Sequence, residues 1–230
     1  PAHERAAAPQ PGASGIGDSY FPLDGNGGYD VRHYDVHVGY DLGTRRLAGW
    51  TRITLRARQD LARFNLDFLL PVSGGRVEGA RATYTRPVRH ELQITPATPL
   101  ARGATVEVVV RYAGHPGRFS YAGESNWLAS RREVVTMNEP HMAPWWFPSN
   151  DHPRDKARMD FHITAPNGRE VVANGLPIGR DSGPSRTTWH WRVAEPMVPY
   201  LAFFAAGDFA VARGRADGRP WLVAVSQHLP

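Results

Sequence analysis

Cysteine is absent from the 230 residues, and lysine occurs once, as Lys156, so arginine supplies every other fixed cation. Without thiols there are no disulfides and no thiolate metal sites. No apolar run approaches the roughly eighteen residues that span a bilayer as a helix, and no membrane span is expected. A sustained 3.6-residue apolar stripe flanked by caps is also missing, which argues against a helical fold. Gly-x-Ser-x-Gly, Walker A and dinucleotide fingerprints are absent, and Gly25-Asn26-Gly27-Gly28 precedes a strand pattern, whereas a phosphate cradle needs the start of a helix. The net charge of +5 and pI near 9.9 come from arginines spread along the chain. The densest pairs, Arg45-Arg46 and Arg131-Arg132, fall at turn-like positions, so nucleic acid is not an expected partner.

What is present is alternation. The hydrophobic share of 41% suffices for one large core. Tyr34, Val36, Val38 and Tyr40 fall on one face of a strand, with His33, Asp35 and His37 on the other. A turn at Asp41-Leu42-Gly43-Thr44 leads into a second strand in which Leu47, Gly49, Thr51, Ile53 and Leu55 alternate with Trp50, Arg52 and Thr54, completing a hairpin. The same period recurs in Phe64/Leu66/Phe68, Val106/Val108/Val110/Tyr112, Met159/Phe161/Ile163 and Trp189/Trp191/Val193. Tyr200 to Ala206 is apolar on both faces and reads as the middle of a sheet. The expected fold class is all-β, a mostly antiparallel β-sheet sandwich with little helix.

Between two of these strands lies Thr136 to Ala157, with Glu139, the aromatics Trp145, Trp146 and Phe147, and the prolines Pro140, Pro144, Pro148 and Pro153. Proline fixes φ and removes a donor, so this connection should be irregular yet rigid. Aromatics beside prolines most often anchor a loop to the core, and that role is expected of these three. Asp151, Asp155 and Lys156 are expected to organise the turn.

Glu139-Pro140, followed by Trp146-Phe147-Pro148 with Asp151 and Pro153, and then Asp155-Lys156-Ala157, resembles the N-terminal domain of the M1 family of zinc aminopeptidases, the aminopeptidase N-like enzymes. Tyr29 to Val36 resembles that family's first strand, Val171 to Gly175 its Asn-Gly turn, and Pro196 to Phe209 the strand that closes the domain. These matches run in the family's order over roughly residues 25 to 212. The resemblance implies a saddle-shaped β-domain resting on a separate catalytic domain, which would be the partner within the same protein. It also implies peptide substrates with a free N-terminus, a zinc cofactor held by the catalytic domain, and an amine-binding role for Glu139 within a Thr-Gln-x-Glu pattern. Thr136 and Glu139 match that pattern, and Met137 stands at the Gln position.

The family's catalytic motifs, Gly-x-Met-Glu-Asn and His-Glu-x-x-His with a downstream Glu, do not occur in the 230 residues. His90-Glu91 is followed by Ile94 where the second His should stand, within a strand-like alternation. No catalytic residue and no metal ligand is therefore expected in this chain, which alone should be inactive. The ten histidines do not pair at useful spacings. His33 and His37, four apart on a strand, have Cα atoms roughly 13 Å apart. His141 and His152 would converge only if the aromatic loop folded back.

Residues 1–24, rich in Ala, Pro, Gly and Ser without periodicity, are expected to be a flexible leader following a removed signal peptide, and residues 25–230 the β-domain. An extracellular, secreted protein is the corresponding expectation. The alternative to an aminopeptidase domain is a stand-alone, non-catalytic β-sandwich binding module derived from the same fold.

Overall fold

A computed structural model describes residues 8–228. In chain order the strands are β1 (Gln10–Pro11), β2 (Tyr29–Asp41), β3 (Arg46–Ala57), β4 (Leu61–Asp67), β5 (Val72–Val77) and β6 (Ala80–Arg81). There follow β7 (Thr83–Thr85), β8 (Glu91–Thr95), β9 (Thr105–Gly114), β10 (Leu128–Ala129), β11 (Glu133–Val135) and β12 (Ala157–Pro166). The last are β13 (Glu170–Ala173), β14 (Leu176–Ser182), β15 (Arg186–Met197), β16 (Phe204–Gly207), β17 (Phe209–Ala216) and β18 (Arg219–Ser226). Among the described residues, helix is limited to three-residue 3-10 turns at Pro116–Arg118, Ala143–Trp145 and Pro199–Leu201, so the fold is all-β.

The strands form an eight-stranded sheet in the order β14-β15-β12-β2-β3-β9-β5-β6 and two four-stranded sheets, β1-β4-β8-β7 and β10-β11-β16-β13. The remaining pair, β17 and β18, is a hairpin with no other strand partner among the described residues. Pairing is antiparallel apart from β2 with β12 and β1 with β4. The large sheet is centred on β2, which pairs with β3 on one side and β12 on the other. Its alternation produces one dry face: Tyr34, Val36, Val38 and Tyr40 are buried, while His33, Asp35 and His37 look outward, half-buried. Register aligns Val36 with Phe161, and Phe161 with Trp191, so an apolar row crosses three strands. At Gly49 the backbone of β2 comes so close that a Cβ would lie 2.0 Å from the His37 carbonyl oxygen, which demands glycine.

The buried face of the large sheet is covered by the smaller sheets, giving one contiguous core. Tyr29 meets Phe64 edge-on at 5.7 Å, and Phe68 meets Tyr112 at 4.8 Å. Two readings of the sequence differ from the structure. In the apolar run from Tyr200, the 3-10 turn Pro199–Leu201 comes first and only Phe204–Gly207 is strand, interior to its sheet between β11 and β13. Pro199 at the first position of the turn, with its fixed φ and missing donor, explains why this part leaves the strand conformation.

The expected leader falls partly outside the described residues, at 1–7. Residues 8–24 are attached to the domain. Gln10 N–H donates to the Asp60 carbonyl at 2.9 Å, Gly12 N–H to that of Arg63 at 2.8 Å, and Gly27 N–H to that of Ala13 at 2.9 Å. Main-chain pairing of this kind leaves no periodic side-chain signature, which is why composition suggests a tail.

Candidate functional site

The aromatic loop is built from its buried end. Trp145, Trp146 and Phe147 are fully buried, as expected of core anchors. Trp146 packs 5.5 Å from Phe161 of β12 and 5.2 Å from Phe204 of β16, and so joins the large sheet to a small one. Phe147 meets Tyr34 edge-on at 5.5 Å, and Trp145 Nε1 donates to the Phe119 carbonyl at 3.2 Å. Further along, Ser149 and Asp67 form an antiparallel bridge, and the Asn150 backbone N–H donates to the Tyr34 hydroxyl at 2.9 Å. Asp155 accepts from the Val31 N–H at 3.0 Å and from the Asn150 side chain, which gives it the turn-organising role expected.

The other end is fixed at Thr136, which is buried and exchanges hydrogen bonds with Phe204. Its Oγ1 accepts from Phe204 N–H at 2.8 Å and donates to the Phe204 carbonyl at 3.1 Å. After this clamp the chain leaves the sheet, and Met137 and Glu139 are exposed. Glu139 is joined to Pro140 by a cis peptide bond. Among the described residues the Glu139 carboxylate takes part in no hydrogen bond or ion pair, and Met137 offers no amide where the family pattern has Gln.

Behind Glu139 stands a polar network that spacing did not reveal. Asn126 Nδ2 donates to Glu124 at 2.7 Å and to the His141 carbonyl at 2.7 Å, and Asn138 Nδ2 reaches the same carbonyl at 3.0 Å. His141 contacts Asp24 through Nε2 at 2.8 Å and Glu124 through Nδ1 at 3.3 Å. Burial alone would lower the His141 pKa, but the hydrogen bond and charge of Asp24 outweigh it, with Asp151 and Glu124 adding, and the pKa is raised. His141 and His152 do not converge on one ion: His152 Nε2 pairs with Asp18 at 3.1 Å instead.

Deeper still lie Asp67, Glu91 and Asp151, all buried. Burial pushes Glu91 and Asp151 up to about 7, the latter helped by Asp24, and burial together with Glu91 and Asp151 raises Asp67. Neither Asp151 side-chain oxygen has a hydrogen-bond partner, whereas its N–H donates to Asp67 at 2.7 Å. Asp67 supports the loop from below by accepting the Asp151 N–H, whereas the Asp151 side chain, expected to organise the turn, accepts no hydrogen bond among the described residues.

The architecture defines an all-β domain that presents an exposed carboxylate, unpaired among the described residues, on a clamped, proline-rich loop. The family model described as the Peptidase M1 N-terminal domain matches residues 31–201, and the chain belongs to that family. It is 25% identical over 210 residues to aminopeptidase N of Acetobacter pasteurianus, covering 83% of this chain and 56% of that protein. A shorter match, 32% identical over 71 residues, is to leucine aminopeptidase 2 of Coccidioides immitis (strain RS), covering 29% of this chain and 11% of that one. Among solved structures, the M1 zinc metallopeptidase of Deinococcus radiodurans, as a point mutant bound to a Tyr-Ser-Ala substrate, superposes with a TM-score of 0.83. There the identity is 27%, over 94% of this chain and 52% of that one. The same organism's M1 zinc metallopeptidase in another crystal structure gives 0.79 at 28% identity, over 87% and 47%. The chain thus spans about half the length of the first relatives it matches.

Proposed function

We propose that this chain is the substrate-amine-binding and architectural N-terminal domain of a zinc-dependent aminopeptidase that removes N-terminal residues from peptides. The observation that carries the proposal is the state of Glu139: exposed, without a partner among the described residues, and displayed between a buried Thr136 clamp and a buried Trp-Trp-Phe anchor. A carboxylate that served only its own turn would be consumed by local donors. One held rigidly and left open is suited to receive an ammonium group in a charge-assisted hydrogen bond. Zinc and the hydrolytic groups belong, in this proposal, to residues outside these 230, and the chain alone turns over no aminoacyl substrate.

Docking to a second domain has its own support. Trp221, Val223 and Val225 are exposed on β18, and their cross-strand partners are Gly214, Ala212 and Ala210, which gives the hairpin an open apolar face. Exposed apolar patches of this kind mark association surfaces. That face favours an architectural domain over a free-standing module.

The test is Glu139→Gln in the complete enzyme, assayed on peptides with a free N-terminus. A charge-assisted hydrogen bond contributes about 1.5–3 kcal/mol, so kcat/KM should fall roughly 10- to 100-fold. A folded, zinc-replete variant with undiminished kcat/KM would overturn the amine-anchor role.

A further inference from the structure

Across the outer face of the large sheet, register lines up Trp50, His37, His162 and His190 on the adjacent strands β3, β2, β12 and β15. His37 stacks on Trp50 with centroids 3.8 Å apart and on His162 at 4.0 Å. Asp35, two residues before His37 on the same face, lies between two of these rings: its Oδ1 is 2.8 Å from His37 Nε2 and 3.1 Å from His162 Nε2. Spacing along the chain concealed this group, because the histidines come from three strands.

The proton inventory of the row leaves a gap. His190 Nε2 is 3.0 Å from an Asp181 oxygen, which can only accept, so that nitrogen carries a hydrogen. A neutral His190 then has a bare Nδ1, which lies 2.5 Å from His162 Nδ1 and must receive a hydrogen from it. A neutral His162 that protonates Nδ1 has a bare Nε2, and this lone pair points at the Asp35 carboxylate. Two acceptors facing each other at 3.1 Å leave a place for a positive centre between them, a proton or a metal ion. Among the described residues Asp35 pairs with no arginine or lysine, in contrast to its cross-strand neighbour Asp160, which Arg192 neutralises at 2.7 Å.

We propose that Asp35, His37 and His162 form a binding site for a divalent transition-metal ion, with zinc as the reference ion, and that Asp181 and His190 orient the His162 ligand. The Asp35, His37 and His162 ligand atoms lie within 4.8 Å of one another. Two imidazoles and a carboxylate suit zinc, copper(II), nickel and cobalt, and not calcium or magnesium, which take oxygen ligands. Zinc–ligand bonds of about 2.0–2.1 Å separate tetrahedral ligands by about 3.3 Å, so the two Asp35–histidine distances, 2.8 and 3.1 Å, need to open by only a few tenths of an ångström, and the stacked rings, 21° apart in plane, need to tilt for both to face one ion. The Asp181–His190–His162 relay is the outer-sphere arrangement that fixes a metal-bound ring in one tautomer. The ligands are half-buried and number three, which leaves a coordination position for water. The site departs from the expectation that this chain holds no metal of its own. Its place is structural: β2 and β12 meet here, at the parallel joint of the large sheet, and an ion would tie the two strands together.

The experiment uses the metal-stripped 230-residue chain, which lacks His-Glu-x-x-His and therefore has no catalytic zinc to confuse the count, titrated with zinc chloride alone. One equivalent should bind, and the melting temperature should rise by roughly 5–10 °C at about a hundredfold excess over Kd, with calcium and magnesium giving no shift. His37→Gln and His162→Gln should each weaken binding more than about tenfold, His190→Gln by about 10- to 100-fold, and His33→Gln, on the same strand face, should leave it unchanged. Copper(II) bound to the unmutated chain should show electron-paramagnetic coupling to two imidazole nitrogens, a readout that does not depend on variants folding. Absence of saturable one-to-one zinc binding, survival of binding in folded His37→Gln and His162→Gln variants, or a copper spectrum without two nitrogens would each overturn the site.

Discussion

Asn150 and Asn26 hold each other through a side-chain amide that imitates a strand pair: Asn150 Oδ1 accepts from the Asn26 N–H at 2.6 Å and Asn150 Nδ2 donates to the Asn26 carbonyl at 3.3 Å. Both residues are buried, so neither backbone group has water as a substitute. Asn150→Ala should therefore destabilise the domain by about 2–4 kcal/mol, the cost of orphaning two buried backbone groups. Chemical denaturation of the pair of proteins measures it. A loss below about 0.5 kcal/mol would show that the loop re-forms these bonds elsewhere.

Trp146 makes a second stability prediction. It is fully buried between Phe161 and Phe204, and Trp146→Ala should cost about 3–5 kcal/mol by cavity formation. Because the cavity lies between two sheets, near-ultraviolet dichroism should weaken more than the far-ultraviolet strand signal.

Glu139 separates from both. Exposed and unpaired among the described residues, it should tolerate Glu139→Gln in the 230-residue chain with a stability change within about 0.5 kcal/mol. A large loss of melting temperature in that chain would assign the carboxylate to holding its own turn and would count against amine binding.

Stability should also fall as pH rises through neutrality. Glu91 and Asp151, with ordinary values of 4.5 and 3.8, are pushed up to about 7 by burial, and Asp155 to about 6. Between the ordinary and the raised value the folded state holds protons that the unfolded chain has released, so each unit of pH in that window removes stability. The raised His141 acts in the same direction, its contribution being complete below 6.5 and lost as pH passes its folded value. Asp35, held below the usual carboxylate range, opposes this only at acid pH, below about 4. Melting temperatures should be higher at about pH 5.5 than at about pH 8. Asp151→Asn should reduce the difference and raise stability at pH 8 by at least about 1 kcal/mol. A melting temperature that climbs from pH 5.5 to 8 would contradict the assignment.

Strand faces were legible in the sequence wherever one face is dry. Tyr34, Val36 and Val38 against His33, Asp35 and His37 is a pattern that only a half-buried strand satisfies, and the structure has it residue for residue. The core role of Trp145, Trp146 and Phe147 followed from their neighbouring prolines. Partners distant along the chain were not legible. The turn at Asp41–Thr44 announced β3 as one neighbour of β2, but nothing in the local pattern of β2 says that the other is β12, far along the chain. The row His37, His162 and His190 exists only through that pairing, so chain spacing was the wrong measure for it. Glu124 and Asn126 escaped notice for the same reason: they reach the Glu139 loop from a separate turn.

The parallel joint of β2 with β12 has a kinetic consequence. Val31 N–H finds Asp155 124 residues further along the chain, and the large sheet is incomplete until that closure occurs. During synthesis β2, β3 and β9 can pair early, but the far edge of β2 stays open until β12 has been made. Non-local closures of this kind slow folding toward the millisecond-to-second range of β-rich domains. For that interval the bare edge of β2, with its Tyr-Val-Val-Tyr face uncovered, is the segment of the nascent chain most in need of protection from other strands.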